Sequence, residues 1–146
     1  MGRGLIAALL GVLVISLVGA GCGDDSSLTK AEFIQQGDAI CAKAESKKNA
    51  DLEAAFKKQV NAGKPMNKAF EQNLVTTVAL PPVVSMTEEL ATLDAPDEDA
   101  EAIVSAYESS IEGIEENPSS VLDGSNPFEE ADKLAANYGF KACAEI

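Results

Sequence analysis

From Asp97 to Glu116, the residues Ala100, Ile103, Val104, Tyr107, Ile111 and Ile114 recur at spacings of three and four, the pattern of an α-helix with one apolar stripe. No segment alternates polar and apolar residues for long enough to argue a strand, and no internal repeat is present. The chain is therefore restricted to an all-α fold in which each stripe is covered by another helix. With no tryptophan, two tyrosines and five phenylalanines, its core must be built mainly from Ala, Leu, Ile and Val.

Helix boundaries follow from local chemistry. Thr29-Lys30-Ala31-Glu32 has the form of a capping box, and Phe33, Ile34, Gly37, Ile40, Cys41 and Ala44 follow it at helical spacing. Glu45 to Asp51 is almost wholly polar, after which Leu52, Ala55, Phe56 and Val60 resume the stripe until Asn61-Ala62-Gly63; this predicts one long helix, bent or frayed near Lys47 to Asn49. Pro65 opens a second segment with Phe70, Leu74 and Val78 on one face. Proline at 82 removes a helical hydrogen bond and proline at 81 disfavours helix at Leu80, so this segment should break or kink at Pro81-Pro82. Val83, Met86, Leu90 and Leu93 restart the pattern, which ends at Asp94-Ala95-Pro96.

The third helix, from about Asp97 to Glu116, carries Asp97, Glu98 and Asp99 where the helix dipole favours acids, and Asn117-Pro118 ends it. Asn126-Pro127 reads as an N-cap followed by a first-turn proline, with Phe128, Ala131, Ala135 and Tyr138 on one face and Gly139 as C-terminal cap. The expected architecture is a small, disulfide-stapled all-α bundle of about four helical segments, the second broken at Pro81-Pro82, in one domain spanning residues 29–146.

Ahead of this domain, Arg3 precedes an apolar run from Leu5 to Val18 that ends in Gly19-Ala20-Gly21-Cys22, the layout of an export signal. The run is marginal for a spanning helix, which needs roughly 20 apolar residues. On Gly19, Ala20, Gly21 and Cys22 the chain resembles the bacterial prolipoprotein family, whose signal peptidase cuts before a cysteine carrying diacylglycerol. That family usually has Leu three residues before the cysteine; here Gly19 occupies the position and Leu17 lies two places earlier. The resemblance implies a signal peptide over residues 1–21, lipid on Cys22, a polar tether over residues 22–28 and attachment to the extracytoplasmic face of the cell membrane. An uncleaved anchor, or cleavage without lipidation, are the alternatives. From Thr29 onward, Ala31-Glu32-Phe33-Ile34, Asp38-Ala39-Ile40-Cys41, Tyr138-Gly139-Phe140 and Cys143 also resemble small helical lipoproteins of high-GC Gram-positive bacteria; this likeness supports the architecture and implies no activity.

After residue 21 the chain holds ten lysines, no arginine and 24 acids, a formal charge of −14. Nucleic acid is an unsuitable partner for such a surface. The charge is uneven: residues 30–70 hold eight lysines and five acids, residues 71–146 two lysines and 17 acids. No histidine occurs, which removes His-dependent nucleophilic systems and His-ligated zinc. Asp123-Gly124-Ser125-Asn126 lacks the alternation of a calcium loop, and adjacent acids at Asp97 to Glu101 point in different directions, so no metal, cofactor or catalytic residue is assigned.

Two thiols remain once Cys22 is set aside, Cys41 and Cys143. In an exported chain such a pair reads as a structural disulfide; two buried free thiols or a redox pair are the alternatives. The functional expectation is a membrane-tethered binding or interaction module, against a passive envelope component or a carboxylate-based enzyme. A candidate binding strip lies on the third helix, where Glu101, Glu108, Glu112 and Glu115 fall largely opposite the apolar stripe. If lysines 43, 47, 57 and 58 of the first helix leave them uncovered, they would attract a cationic envelope protein or ligand.

Overall fold

A computed structural model describes residues 27–146 of the chain, and among the described residues every regular element is helical. The expected leader over residues 1–21 and the lipidation site Cys22 lie outside the described residues. The first helix, α1 (Lys30–Asn61), has 32 residues and is therefore about 48 Å long. Its capping box is complete: the Thr29 hydroxyl accepts from the Glu32 N–H at 3.3 Å, and a Glu32 carboxylate oxygen accepts from the Thr29 N–H at 3.0 Å. Contrary to the expected fraying, α1 passes through Lys47 to Asn49 without interruption. Lys47 pairs with Asp51 at 2.6 Å and Lys57 with Glu53, each four residues apart, and Ala50, Ala54 and Ala55 add high helix propensity between them.

After a turn at Gly63 (φ 62°), Asn67 caps α2 (Lys68–Leu74) by accepting from the Phe70 N–H at 3.0 Å. A π-helical turn, Val75–Ala79, then leads directly into α3 (Leu80–Ala91). The interruption expected at Pro81-Pro82 is thus displaced upstream, and Leu80 keeps right-handed helical angles (φ −71°, ψ −43°) rather than leaving the helix. A proline ring clashes with the carbonyl four residues back and donates no hydrogen bond. Widening the preceding turn, in which the Leu80 N–H donates to the Val75 carbonyl, accommodates both effects without breaking the rod. The hydroxyls of Thr76 and Thr77 donate to the carbonyls of Gln72 and Asn73 at 3.2 and 2.7 Å along the same stretch.

Asp97 caps α4 (Glu98–Glu116), accepting from the Ala100 N–H at 2.9 Å, and the predicted stripe is buried at Ala100, Ile103, Tyr107, Ile111 and Ile114. Asn126 accepts from the Phe128 N–H at 2.9 Å, forming a local turn that places the start of α5 (Glu129–Tyr138) two residues beyond the expected first position. The 3-10 turn Cys143–Glu145 follows.

α1 packs on α3, α3 on α4 and α4 on α5, and the final 3-10 turn returns from α5 to α1. Tyr107, Phe33, Met86 and Leu90 are the largest fully buried side chains, each contributing about 1.5–3 kcal/mol by leaving water. Cys41 and Cys143 form a disulfide with a Cα–Cα separation of 5.1 Å across 102 residues of chain, and both are fully buried. The C-terminal half of α1 is not covered: Phe56 and Val60 remain 43% and 64% exposed.

Candidate functional site

The Asp38 carboxylate fixes the end of the chain to α1. Its Oδ1 accepts from the N–H groups of Lys141 and Ala142 at 2.9 and 2.8 Å and more distantly from Cys143 at 3.4 Å, the donors that the chain presents as it turns toward its last 3-10 turn. Gly37, one residue earlier, lets this segment approach: an added Cβ would lie 2.5 Å from the Phe140 ring. Phe140 in turn stacks on Tyr138 and meets Phe33 edge-on, with ring centroids 5.8 and 5.7 Å apart. These contacts give Cys41 and Cys143 a structural setting, enclosed by packed rings and anchored backbone.

Two tyrosines carry polar groups into this core. The Tyr107 hydroxyl donates to the Cys143 carbonyl and lies 3.2 Å from the Asp132 carboxylate; burial, followed by the charge of Asp132, pushes its pKa far above the usual phenol value. The Tyr138 hydroxyl donates to Asp97 at 3.1 Å, linking the end of α5 to the N-cap of α4, and desolvation with the Asp97 hydrogen bond pushes its pKa up to about 12. Lys30 sits 3.8 Å over the Tyr138 ring centre. Among the described residues no buried side-chain nitrogen or oxygen lacks a hydrogen-bond partner. Sequence reasoning gave no signal for Asp38 or Asp132, because their partners lie 103 and 25 residues away and obey no helical spacing.

All four glutamates of the candidate strip, Glu101, Glu108, Glu112 and Glu115, are exposed. Their spacing places them within about 60° of one another around α4, on a single ribbon. The lysines of α1 do not reach them. Lys43 pairs with Glu89 of α3 at 2.9 Å, while Lys47 and Lys57 pair within α1, and among the described residues no ion pair includes a strip glutamate. The reason is topological, since α3 lies between α1 and α4 in the packing order.

Glu101 differs from the other three by bordering an open groove of about 460 Å³ with Phe33, Leu90, Leu93, Val104 and Ser105. The carboxylates whose pKa values move, Glu32, Asp123 and Glu129, are all exposed and all move down through local hydrogen bonds, to Thr29, Ser125 and Lys133 respectively. Among the described residues no set of three or more acids, cysteines or histidines is gathered to hold a metal ion, and no helix is long and apolar enough to cross a membrane. No protein-family model matches the chain, and neither curated proteins nor solved structures give a significant match.

Proposed function

We propose that the protein is exported and held by lipid on Cys22 at the extracytoplasmic face of the cell membrane, where its helical domain acts as a binding module. The observation that carries this reading is the buried Cys41–Cys143 disulfide. Disulfides belong to oxidising compartments, and this one uses every cysteine except the one that ends the apolar leader. Between Cys22 and the helical cap at Thr29 lie six residues, five of them Gly, Asp or Ser, which suit a tether. Diacylglycerol supplies two acyl chains, enough for stable anchoring. Metabolic labelling with a radiolabelled fatty acid, followed by membrane fractionation of wild type and Cys22→Ala, tests the anchor. Label and membrane partitioning should both depend on Cys22, and equal behaviour of the two proteins would reject it.

The binding surface in this proposal is the ribbon of Glu101, Glu108, Glu112 and Glu115, and its partner is a cationic envelope protein or ligand. Support comes from the exposure of all four and from the lysine pairs that leave them uncovered. Attraction of this kind raises association rate and is screened over about 10 Å at 0.1 M salt. Glu108→Lys, Glu112→Lys and Glu115→Lys together should preserve the far-ultraviolet circular dichroism and abolish crosslinked capture of the partner from native membranes. Undiminished capture by the folded triple variant would show that the ribbon is only a solvated face.

A further inference from the structure

Three large apolar side chains stand exposed among the described residues, and they lie close together in the chain: Phe56 (43%), Val60 (64%) and Met66 (46%). Around them the general charge of the protein reverses. From Ala54 to Phe70 there are four lysines, Lys57, Lys58, Lys64 and Lys68, and no acid, in a chain whose formal net charge is −13. Glu53 and Glu71 border the segment, Glu53 pairs with Lys57, and among the described residues Lys58, Lys64 and Lys68 are in no ion pair. The segment is ordered. Phe56 meets Phe70 edge-on with ring centroids 5.8 Å apart, and Val60 follows one turn later on the same face of α1. Gly63 reverses the backbone with φ 62°, the Gln59 side-chain amide donates to the Pro65 carbonyl at 2.9 Å, and the Lys64 N–H donates to the Gln59 carbonyl at 3.2 Å. A groove of about 390 Å³ between the end of α1 and α2 is lined by Lys58 and Lys64 together with Phe70, Leu74 and Val78.

This tip projects from the acidic body. The Lys48 ammonium donates to the Ile146 carbonyl and borders a groove with Ile114, which marks the level on α1 of the end of α4. Val60 lies twelve residues further on, about 18 Å by helical rise, beyond the roughly 10 Å over which 0.1 M salt screens the acids of α4.

We propose that this tip docks on an anionic lipid leaflet, with Phe56, Val60 and Met66 entering the headgroup region and Lys58, Lys64 and Lys68 pairing with lipid phosphates. The groove lined by Lys58 and Lys64 receives one such phosphate. The combination of side chains selects the occupant. A free phosphate would engage the lysines and leave the apolar groups in water, whereas a leaflet interface satisfies aromatic and aliphatic tips together with lysine heads. This goes beyond the proposed binding module, because it needs neither lipid on Cys22 nor the α4 ribbon. In the tethered protein it would lay α1 along the leaflet that holds its other end.

The test is sedimentation of the mature chain from residue 22, carrying Cys22→Ser so that no acyl chain contributes, with vesicles of phosphatidylcholine alone or mixed with phosphatidylglycerol. Binding is expected only to the anionic vesicles and should weaken as salt is raised. Lys58→Glu with Lys64→Glu should lower the affinity roughly ten-fold or more, and Phe56→Ser with Val60→Ser should lower it while leaving circular dichroism unchanged. Absence of binding, equal binding to both vesicle types, or binding that ignores both double variants would overturn the proposal. So would self-association without vesicles that the same variants abolish, which would make the tip an interface between copies of this chain. If the lysine variant fails to fold, the salt series and the vesicle comparison on the unvaried tip still decide.

Discussion

The two halves of α1 share one helical pattern and meet different fates. In the first half, Phe33, Gly37, Cys41 and Ala44 are buried against α3, Phe140 and Cys143, and Asp38 collects the amides of the chain end. In the second half, Phe56 and Val60 continue the apolar spacing, Phe70 meets Phe56 edge-on, and both Phe56 and Val60 remain exposed on the lysine-rich tip. Periodicity therefore specifies a face and not its cover. Part of what covers the first half arrives from the last ten residues of the chain, beside α3, and a disulfide holds it there.

Breaking that staple should have the largest effect. Closing a loop of about 100 residues stabilises by on the order of 4 to 5 kcal/mol in the chain-entropy model. Reduction, or Cys41→Ser with Cys143→Ser, should therefore shift the urea midpoint strongly downward, with the core around Phe33 and Phe140 losing hydrogen-exchange protection first. A midpoint unchanged by reduction would show that packing alone secures the chain end. The comparison sharpens with matched truncations. Phe33→Ala removes a fully buried ring and should cost about 3–5 kcal/mol, while Phe56→Ala on the uncovered half should cost less than about 1 kcal/mol. Similar losses at both positions would mean that the tip is structurally integrated with the bundle.

Much of this architecture is legible in the sequence because it depends on neighbours three or four residues apart. The Thr29–Glu32 box, the acidic start of α4 at Asp97 and the α4 stripe belong to that class, whereas the Cys41–Cys143 pairing, across 102 residues, was legible only because two cysteines remain once Cys22 is set aside. Pro81-Pro82 marks a disturbance correctly but not its position. Local propensity weighs the clash at Leu80, whereas the structure absorbs it by widening Val75–Ala79 and keeps the rod that α1 packs against. Asn126 is likewise a polar residue ahead of a helix, yet it closes a turn onto Phe128 before α5 begins. The α4 ribbon was readable from spacing, but its freedom from lysines depends on the order α1, α3, α4, which no local rule contains. Asp38 was unreadable for the same reason.

A subtler probe of the covered half is Gly37→Ala. An added Cβ would stand 2.5 Å from Phe140 Cε1 and 3.2 Å from a Leu90 methyl, so the ring must shift or the helix must move away. Overpacking of this kind costs about 1–3 kcal/mol, more than the gain in helix propensity from removing a glycine. Thermal unfolding of Gly37→Ala should therefore show a lower midpoint, while Gly113→Ala on α4, where nothing lies within 4 Å of the new methyl, should raise it. A rise for both would show that Phe140 yields freely.

The smallest expected effect lies at the start of α1, where pH offers a way to loosen one end of the helix without touching the other. Glu32 has its pKa held below the ordinary glutamate value, first by the hydrogen bond from the Thr29 hydroxyl and then by the Thr29 N–H. A carboxyl whose folded pKa is depressed contributes its stability above the unfolded value of about 4.3, and that contribution is lost as pH falls through the folded value. Acidification should thus open the capping box and increase amide exchange in the first turn of α1, around Ala31 to Phe33. The uncovered C-terminal end has no such carboxylate cap, so this loosening belongs to the first turn of α1 and not to its last. Following the Glu32 carboxyl by nuclear magnetic resonance should place its titration below that of ordinary glutamates in the wild type, and Thr29→Ala should return it upward. If Glu32 titrates alike in both proteins, the box does not hold in solution, and the packing of Phe33, rather than its cap, fixes where α1 begins.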